Sequence, residues 1–310
     1  MKLHACCAGM LGVLSLLALT ARADEDVPRS SGVISVRGEL HTYLTEGHGE
    51  PCIVVGFAPQ YPTLFSPRLK QRIRLIYVDY KNSWDAADDR SVQATSMDSL
   101  VEELDDVRKA FDLERVCLLG HSTPGMVAIE YAARHPERTS RVILVSVTPF
   151  YNRELGDTSR SFWETDASPE RKAALAENIR RLPDTTLSKL SARDAFALRY
   201  ARNGPRYFFD PKYDFYWAWI GHQFSAPMLD RFWKVIAADY DPWNRLSKNT
   251  VPMLVVLGRY DYAVPYRLWD RVKASTPSLT LVMLERSGHF PMIEEPQRFD
   301  EALVRWLPRN

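Results

Sequence analysis

Six short apolar runs punctuate the chain, at residues 52–55, 75–78, 116–119, 142–147, 253–257 and 279–284. A continuous apolar run of this length, bounded by turn residues, marks a strand buried on both faces. Helix-period patterns fill the intervals. Leu100, Leu104, Val107 and Phe111 recur at spacings of four, three and four, which places them on one helix face. Thr95 or Ser96 can cap that helix, and Asp98 sits in its first turn. Residues 64–73 and 126–133 also read as helices. Strands that alternate with helices predict an α/β fold, with a mostly parallel sheet covered on both faces. Residues 32–37 and 39–44 add two short strands joined near Gly38.

Residues 150–249 interrupt this rhythm. The stretch is long, charged and aromatic, without a short β-branched run, and reads as helices at 169–182, 192–202 and 214–238. It is expected to be a helical lid inserted between two strands of a core formed by residues 24–149 and 250–310. With 40 Lys and Arg against 39 Asp and Glu, the formal charge is +1, which leaves no electrostatic footprint for nucleic acid. There is no Cys-x-x-Cys, no His-Glu-x-x-His, no P-loop and no Gly-x-Gly-x-x-Gly. Metalloprotease, NTPase and dinucleotide readings lose their main support, and no metal or cofactor is expected.

Lys2 precedes a mostly apolar run at 8–19, and Ala21-Arg22-Ala23 follows it. A positive start, an apolar middle and a small-x-small end predict a signal peptide over residues 1–23, cleaved after Ala23. The product would be exported to the periplasm or beyond. The apolar run is short for a membrane span, so no stable span is expected after cleavage. Cys52 and Cys117 remain, both at probable parallel strands. Neighbouring strands rarely meet disulfide geometry, so two buried thiols are expected.

The most informative segment is Val116-Cys117-Leu118-Leu119-Gly120-His121-Ser122-Thr123-Pro124-Gly125-Met126. A strand enters a tight turn and leaves directly into a helix. This projects Ser122 at the C-terminal edge of the sheet, above a helix N-terminus whose N–H groups point at any anion formed there. Thr123 would supply one such N–H. Pro124 stands where a Gly-x-Ser-x-Gly motif has its second glycine. Proline is tolerated in a first helical turn, but its ring requires different packing beneath the turn. A serine hydroxyl needs a base to take its proton and an acid to orient that base. Asp261, just past the 253–257 strand, and His289, just past the 279–284 strand, are the candidates. Both loops fall at the same sheet edge as Ser122. His121 is given no role.

Gly-His-Ser at 120–122, Gly-Arg-Tyr-Asp at 258–261, and Ser-Gly-His at 287–289 with Glu294-Glu295-Pro296 and Phe299 resemble the α/β-hydrolase fold superfamily. The nearest likeness is to its proline-iminopeptidase-like branch. The resemblance implies an eight-stranded sheet with a lid after the sixth strand, and a second oxyanion donor just past the third strand. Phe57 N–H is the choice for that donor, with Ala58 as fallback. The glycine-rich loop of proline iminopeptidases is absent here, where the sequence reads Val55-Gly56-Phe57-Ala58-Pro59.

The leading expectation is an exported serine hydrolase acting on a small ester, lactone or amide, or on a short peptide. Ser122, His289 and Asp261 would form its triad. Trp163, Trp217, Trp219 and Phe224 are candidates to line the substrate pocket, although aromatics in a small helical segment commonly form its own core. Glu164, Asp166 and Asp214 could hold a substrate amine if the enzyme is an aminopeptidase. A ligand receptor that keeps the fold without catalysis is the alternative from another class. Haloalkane dehalogenases and epoxide hydrolases of this fold use an aspartate nucleophile, and serine at 122 counts against both.

Overall fold

The alternation of apolar runs and helices becomes one eight-stranded sheet in the computed structural model, which describes residues 27–56, 61–78, 89–219, 225–238 and 240–308. The strands are β1 (Arg29–Val36), β2 (Glu39–Glu46), β3 (Glu50–Val55), β4 (Ile73–Val78), β5 (Val116–His121), β6 (Thr139–Val145), β7 (Met253–Gly258) and β8 (Leu279–Leu284). Their order across the sheet is β1-β2-β4-β3-β5-β6-β7-β8. The pairs β1–β2 and β2–β4 are antiparallel, and every other pair is parallel. The longer helices are α1 (Met97–Ala110), α2 (Gly125–Arg134), α3 (Arg153–Asp166), α4 (Pro169–Arg181), α5 (Ala192–Arg202), α6 (Leu268–Ser275) and α7 (Pro296–Trp306).

Burial on both faces explains why the central strands carry no polar alternation. In β5, Val116 and Leu118 enter one core with Leu100, Leu104 and Val107 of α1 and with Met126 and Ile129 of α2. Cys117 and Leu119 point into the opposite core with Phe299 and Leu303 of α7. Helix α1 starts where the sequence capped it. The Ser96 hydroxyl accepts from Ser99 N–H, and the Ser99 hydroxyl accepts from Ser96 N–H. Cys52 and Cys117 lie opposite each other on β3 and β5 as free, fully buried thiols, with sulfurs 2.8 Å apart.

Two expectations need correction, and one helix was not anticipated. The helix expected over 64–73 is only Pro67–Lys70, capped by Ser66, because Ile73 already belongs to β4. The helix expected over 214–238 is broken into a 3₁₀ turn at Tyr216–Trp219, a short helix at Ala226–Arg231 and a π turn at Phe232–Ile236. Pro227 accounts for part of the break, since proline has no N–H to donate and its ring clashes with the carbonyl four residues earlier. Helix α3 went unread, although Asn152 caps it by accepting from Glu154 and Leu155 N–H. Between β6 and β7 the described residues form helices and turns and no named strand.

Candidate active site

At the end of β5 the backbone turns so sharply that Ser122 adopts φ 56°, a left-handed conformation that costs a non-glycine residue energy. Local bonds hold it there. Ser122 N–H donates to Val145 O across to β6, and Gly125 N–H donates back to Ser122 O. Two glycines make room. A Cβ on Gly120 would lie 2.4 Å from Gly125 Cα, and one on Gly125 would lie 2.3 Å from Val147 Cγ2. The close approach therefore falls on Gly125, one residue beyond the usual motif position, and Pro124 sits above it at helical φ −57°. The Thr123 N–H has no acceptor among the described residues, and Thr123 lines the same cavity as Ser122.

The loops after β7 and β8 bring a carboxylate and an imidazole to this point. Ser122 Oγ lies 2.9 Å from His289 Nε2, and His289 Nδ1 lies 2.6 Å from Asp261 Oδ2. Asp261 is fully buried, and its other oxygen accepts from Ala263 and Val264 N–H at 3.0 and 2.9 Å. A carboxylate so engaged fixes the proton of His289 on Nδ1, which leaves Nε2 to accept the Ser122 hydroxyl proton. The loops fit only because glycine occupies 258 and 288. A Cβ on Gly258 would meet Gly288 O at 2.0 Å, and one on Gly288 would meet Tyr207 O at 2.0 Å.

Further groups secure His289. His121 Nε2 lies 2.9 Å from His289 O, and its Nδ1 lies 3.3 Å from the Tyr61 hydroxyl. A carbonyl only accepts, so Nε2 carries the proton and Nδ1 accepts from Tyr61. Burial lowers the His121 pKa to about 3, which keeps the ring neutral. His289 N–H donates to Tyr207 O at 2.6 Å. Glu294 accepts from Gly288 N–H and from Phe209 N–H, both at 2.7 Å, and so ties the His289 loop to the helical segment between β6 and β7. Burial pushes its carboxyl up to about 7. Glu295 accepts from Arg286 N–H and the Ser287 hydroxyl.

A cavity of about 700 Å³ opens at Ser122 and His289. Its wall is mostly apolar and aromatic, with Leu187, Leu190, Phe196, Tyr200, Trp233 and Val264 among its members. Tyr200 stacks on Tyr207 with ring centroids 4.4 Å apart, and Tyr207 lies 5.8 Å from the His289 ring. The described residues contain no group of three or more metal-ligating side chains.

This geometry has relatives. The model of the alpha/beta hydrolase family matches residues 40–302. The chain belongs to this family. It is 33% identical over 278 residues to the AB hydrolase superfamily protein YclE of Bacillus subtilis, covering 89% of this chain and 98% of that one. It is 26% identical to a proline iminopeptidase of Heyndrickxia coagulans, covering 87% of this chain and 96% of the relative. Among solved structures, an alpha/beta fold family hydrolase from Bacillus anthracis superposes with a TM-score of 0.67 at 18% identity. That match covers 90% of this chain and 99% of the other, and it shows the fold alone.

Set against the sequence-based expectations, the hydrolase brings Ser122, His289, Asp261 and Thr123 together at one sheet edge. Phe57, Ala58 and Phe224 lie outside the described residues, as do residues 1–23 and the Trp219 side chain. Trp163 does not line the cavity. It is buried against Tyr262, with the Arg206 guanidinium 5.2 Å from its ring, and so packs the inserted segment onto the loop after β7. Trp217 is exposed and packs edge-on against Phe215, also away from the cavity. Tyr61, His121 and Glu294 were not assigned roles. Glu294 carried a signal as part of the family-like Glu-Glu-Pro, whereas Tyr61 and His121 meet only in three dimensions.

Proposed function

We propose that this hydrolase is an exported serine hydrolase that cleaves a carboxylic ester, lactone or amide through an acyl-enzyme. The observation that carries the reading is the unbroken hydrogen-bonded line from Ser122 through His289 to Asp261 at the mouth of an apolar cavity. Ser122 Oγ attacks the substrate carbonyl carbon while its proton passes to His289 Nε2. Asp261 orients the ring and stabilises the imidazolium. The Thr123 N–H, and by family likeness that of Phe57, stabilises the oxyanion. His289 then gives its proton to the leaving group, and water releases the acyl group by the same route in reverse. The helices between β6 and β7 act as a lid that supplies much of the pocket wall.

Charge favours an ester or lactone over an N-terminal amine. Glu164 pairs with Lys172, Asp166 with Arg259, and Asp214 accepts from Tyr216 N–H. None of the three lines the cavity. Among the described residues of the lid, the carboxylate that does, Asp230, pairs with Lys234 at 2.7 Å. Export rests on Lys2, the apolar run and Ala21-Arg22-Ala23. A panel of aryl esters, lactones and aminoacyl anilides tests the reading. Esters or lactones are turned over by the wild type and not by Ser122→Ala. Turnover of the anilides alone would move the assignment to an aminopeptidase.

A further inference from the structure

We propose that Arg199 and Asn203 form an anion subsite in the pocket, and that the substrates carry a carboxylate separated from the scissile carbonyl by an apolar spacer. The inference rests on the hydrolase reading and deepens it. Both residues lie at the C-terminal end of α5, four positions apart, and therefore share a face. Both line the cavity that opens at Ser122. Among the described residues neither side chain has a hydrogen-bond or ion-pair partner.

Neighbouring arginines are committed elsewhere. Arg202 donates to Asp184 and to Leu182 O, and Arg206 donates to the Ser159 hydroxyl. Lys234 neutralises Asp230, so Arg199 is the uncompensated charge among the described carboxylates and cationic side chains of the wall. Its field reaches Tyr207, the ring that stands 5.8 Å from His289.

A guanidinium presents a planar fork that matches a carboxylate, and an amide N–H beside it supplies another donor. Arg199 is exposed to solvent, which puts the subsite where the pocket meets water. Leu187, Leu190, Phe196 and Val264 leave the rest of the substrate an apolar environment. A substrate ammonium would be repelled at the same place, the opposite of what an aminopeptidase requires.

Methyl hemiesters of linear dicarboxylic acids from four to ten carbons, compared with the corresponding dimethyl esters, test the subsite. At low ionic strength the wild type should favour the hemiester in kcat/KM at a preferred chain length, on the order of 10- to 100-fold. The preference should shrink with added salt. Arg199→Gln should collapse the ratio, and Arg199→Glu should turn it towards ω-amino methyl esters. A wild-type ratio near unity, or one that neither substitution moves, overturns the subsite. Calorimetry of the free dicarboxylates on Ser122→Ala reads the subsite without turnover. Binding that weakens when Arg199→Gln is added supports it, and absent or unchanged binding overturns it. Dicarboxylate binding without turnover of any ester would overturn the hydrolase reading alone.

Discussion

His121, beside Ser122, makes its hydrogen bonds to residues other than the serine. It donates to the main-chain carbonyl of His289 and accepts from Tyr61, so in the proposed mechanism it would position the base without touching the reacting atoms. His121→Leu removes that donor and leaves a buried carbonyl unsatisfied, which should lower kcat by roughly 10- to 100-fold. His121→Gln places an amide N–H near the position of Nε2 and should keep most of the activity. Steady-state kinetics of the two variants check this, and equal losses in both would count against a positioning role. The three residues of the hydrogen-bonded line were legible in the sequence because each ends or follows an apolar run. His121 was not, since its partners come from positions 61 and 289 and only the folded chain joins them. The same holds for Trp163, whose aromatic character was visible while the ring it packs on, Tyr262, was not.

At the scale of elements, the turn into α2 depends on glycine at 125 rather than 124. Gly125→Ala drives a methyl into Val147 and should destabilise the protein by roughly 1–3 kcal/mol. Adding Val147→Ala removes the clashing methyls and should restore part of the loss, as read by urea denaturation. If Gly125→Ala alone is neutral, the close packing beneath the turn is not what holds it. The His289 loop hangs on Glu294 in a similar way. The fold raises that carboxyl to about 7, so its proton is bound more tightly in the native chain than in the unfolded one. Its contribution to stability is full below the ordinary glutamate range and is lost as pH rises through about 7. Glu294→Gln has no proton to lose, so its stability should fall less than the wild type's between pH 5 and pH 8. Equal falls in the two proteins would show that Glu294 does not titrate there. Sequence patterning found the strands and α1, whose Leu100, Leu104 and Val107 share a buried face, and it also marked α2, α4 and α5 as helical, although α2 is buried over eight successive residues. It failed over 214–238, where aromatic packing and Pro227 decide the backbone.

For the whole molecule, the sheet order places the ends of β5, β7 and β8 along one edge, and residues between β6 and β7, Leu187, Phe196 and Trp233 among them, line the cavity there. Fold and chemistry were readable together because the catalytic candidates sit at strand ends, whereas the pocket belongs to a segment whose helices carry no fixed period. The proposed export is tested on the intact chain. N-terminal sequencing of protein recovered outside the cytoplasm should begin at Asp24, and a uniform Met1 start would contradict cleavage. The central claim is that Ser122 carries the reaction, and covalent labelling by a fluorophosphonate, located by peptide mass spectrometry, tests it most directly. Label should appear on Ser122 of the wild type and be absent from Ser122→Ala, whose turnover should fall on the order of 10⁴-fold or more while the fold survives. Label on another residue, or full activity in Ser122→Ala, would contradict the account.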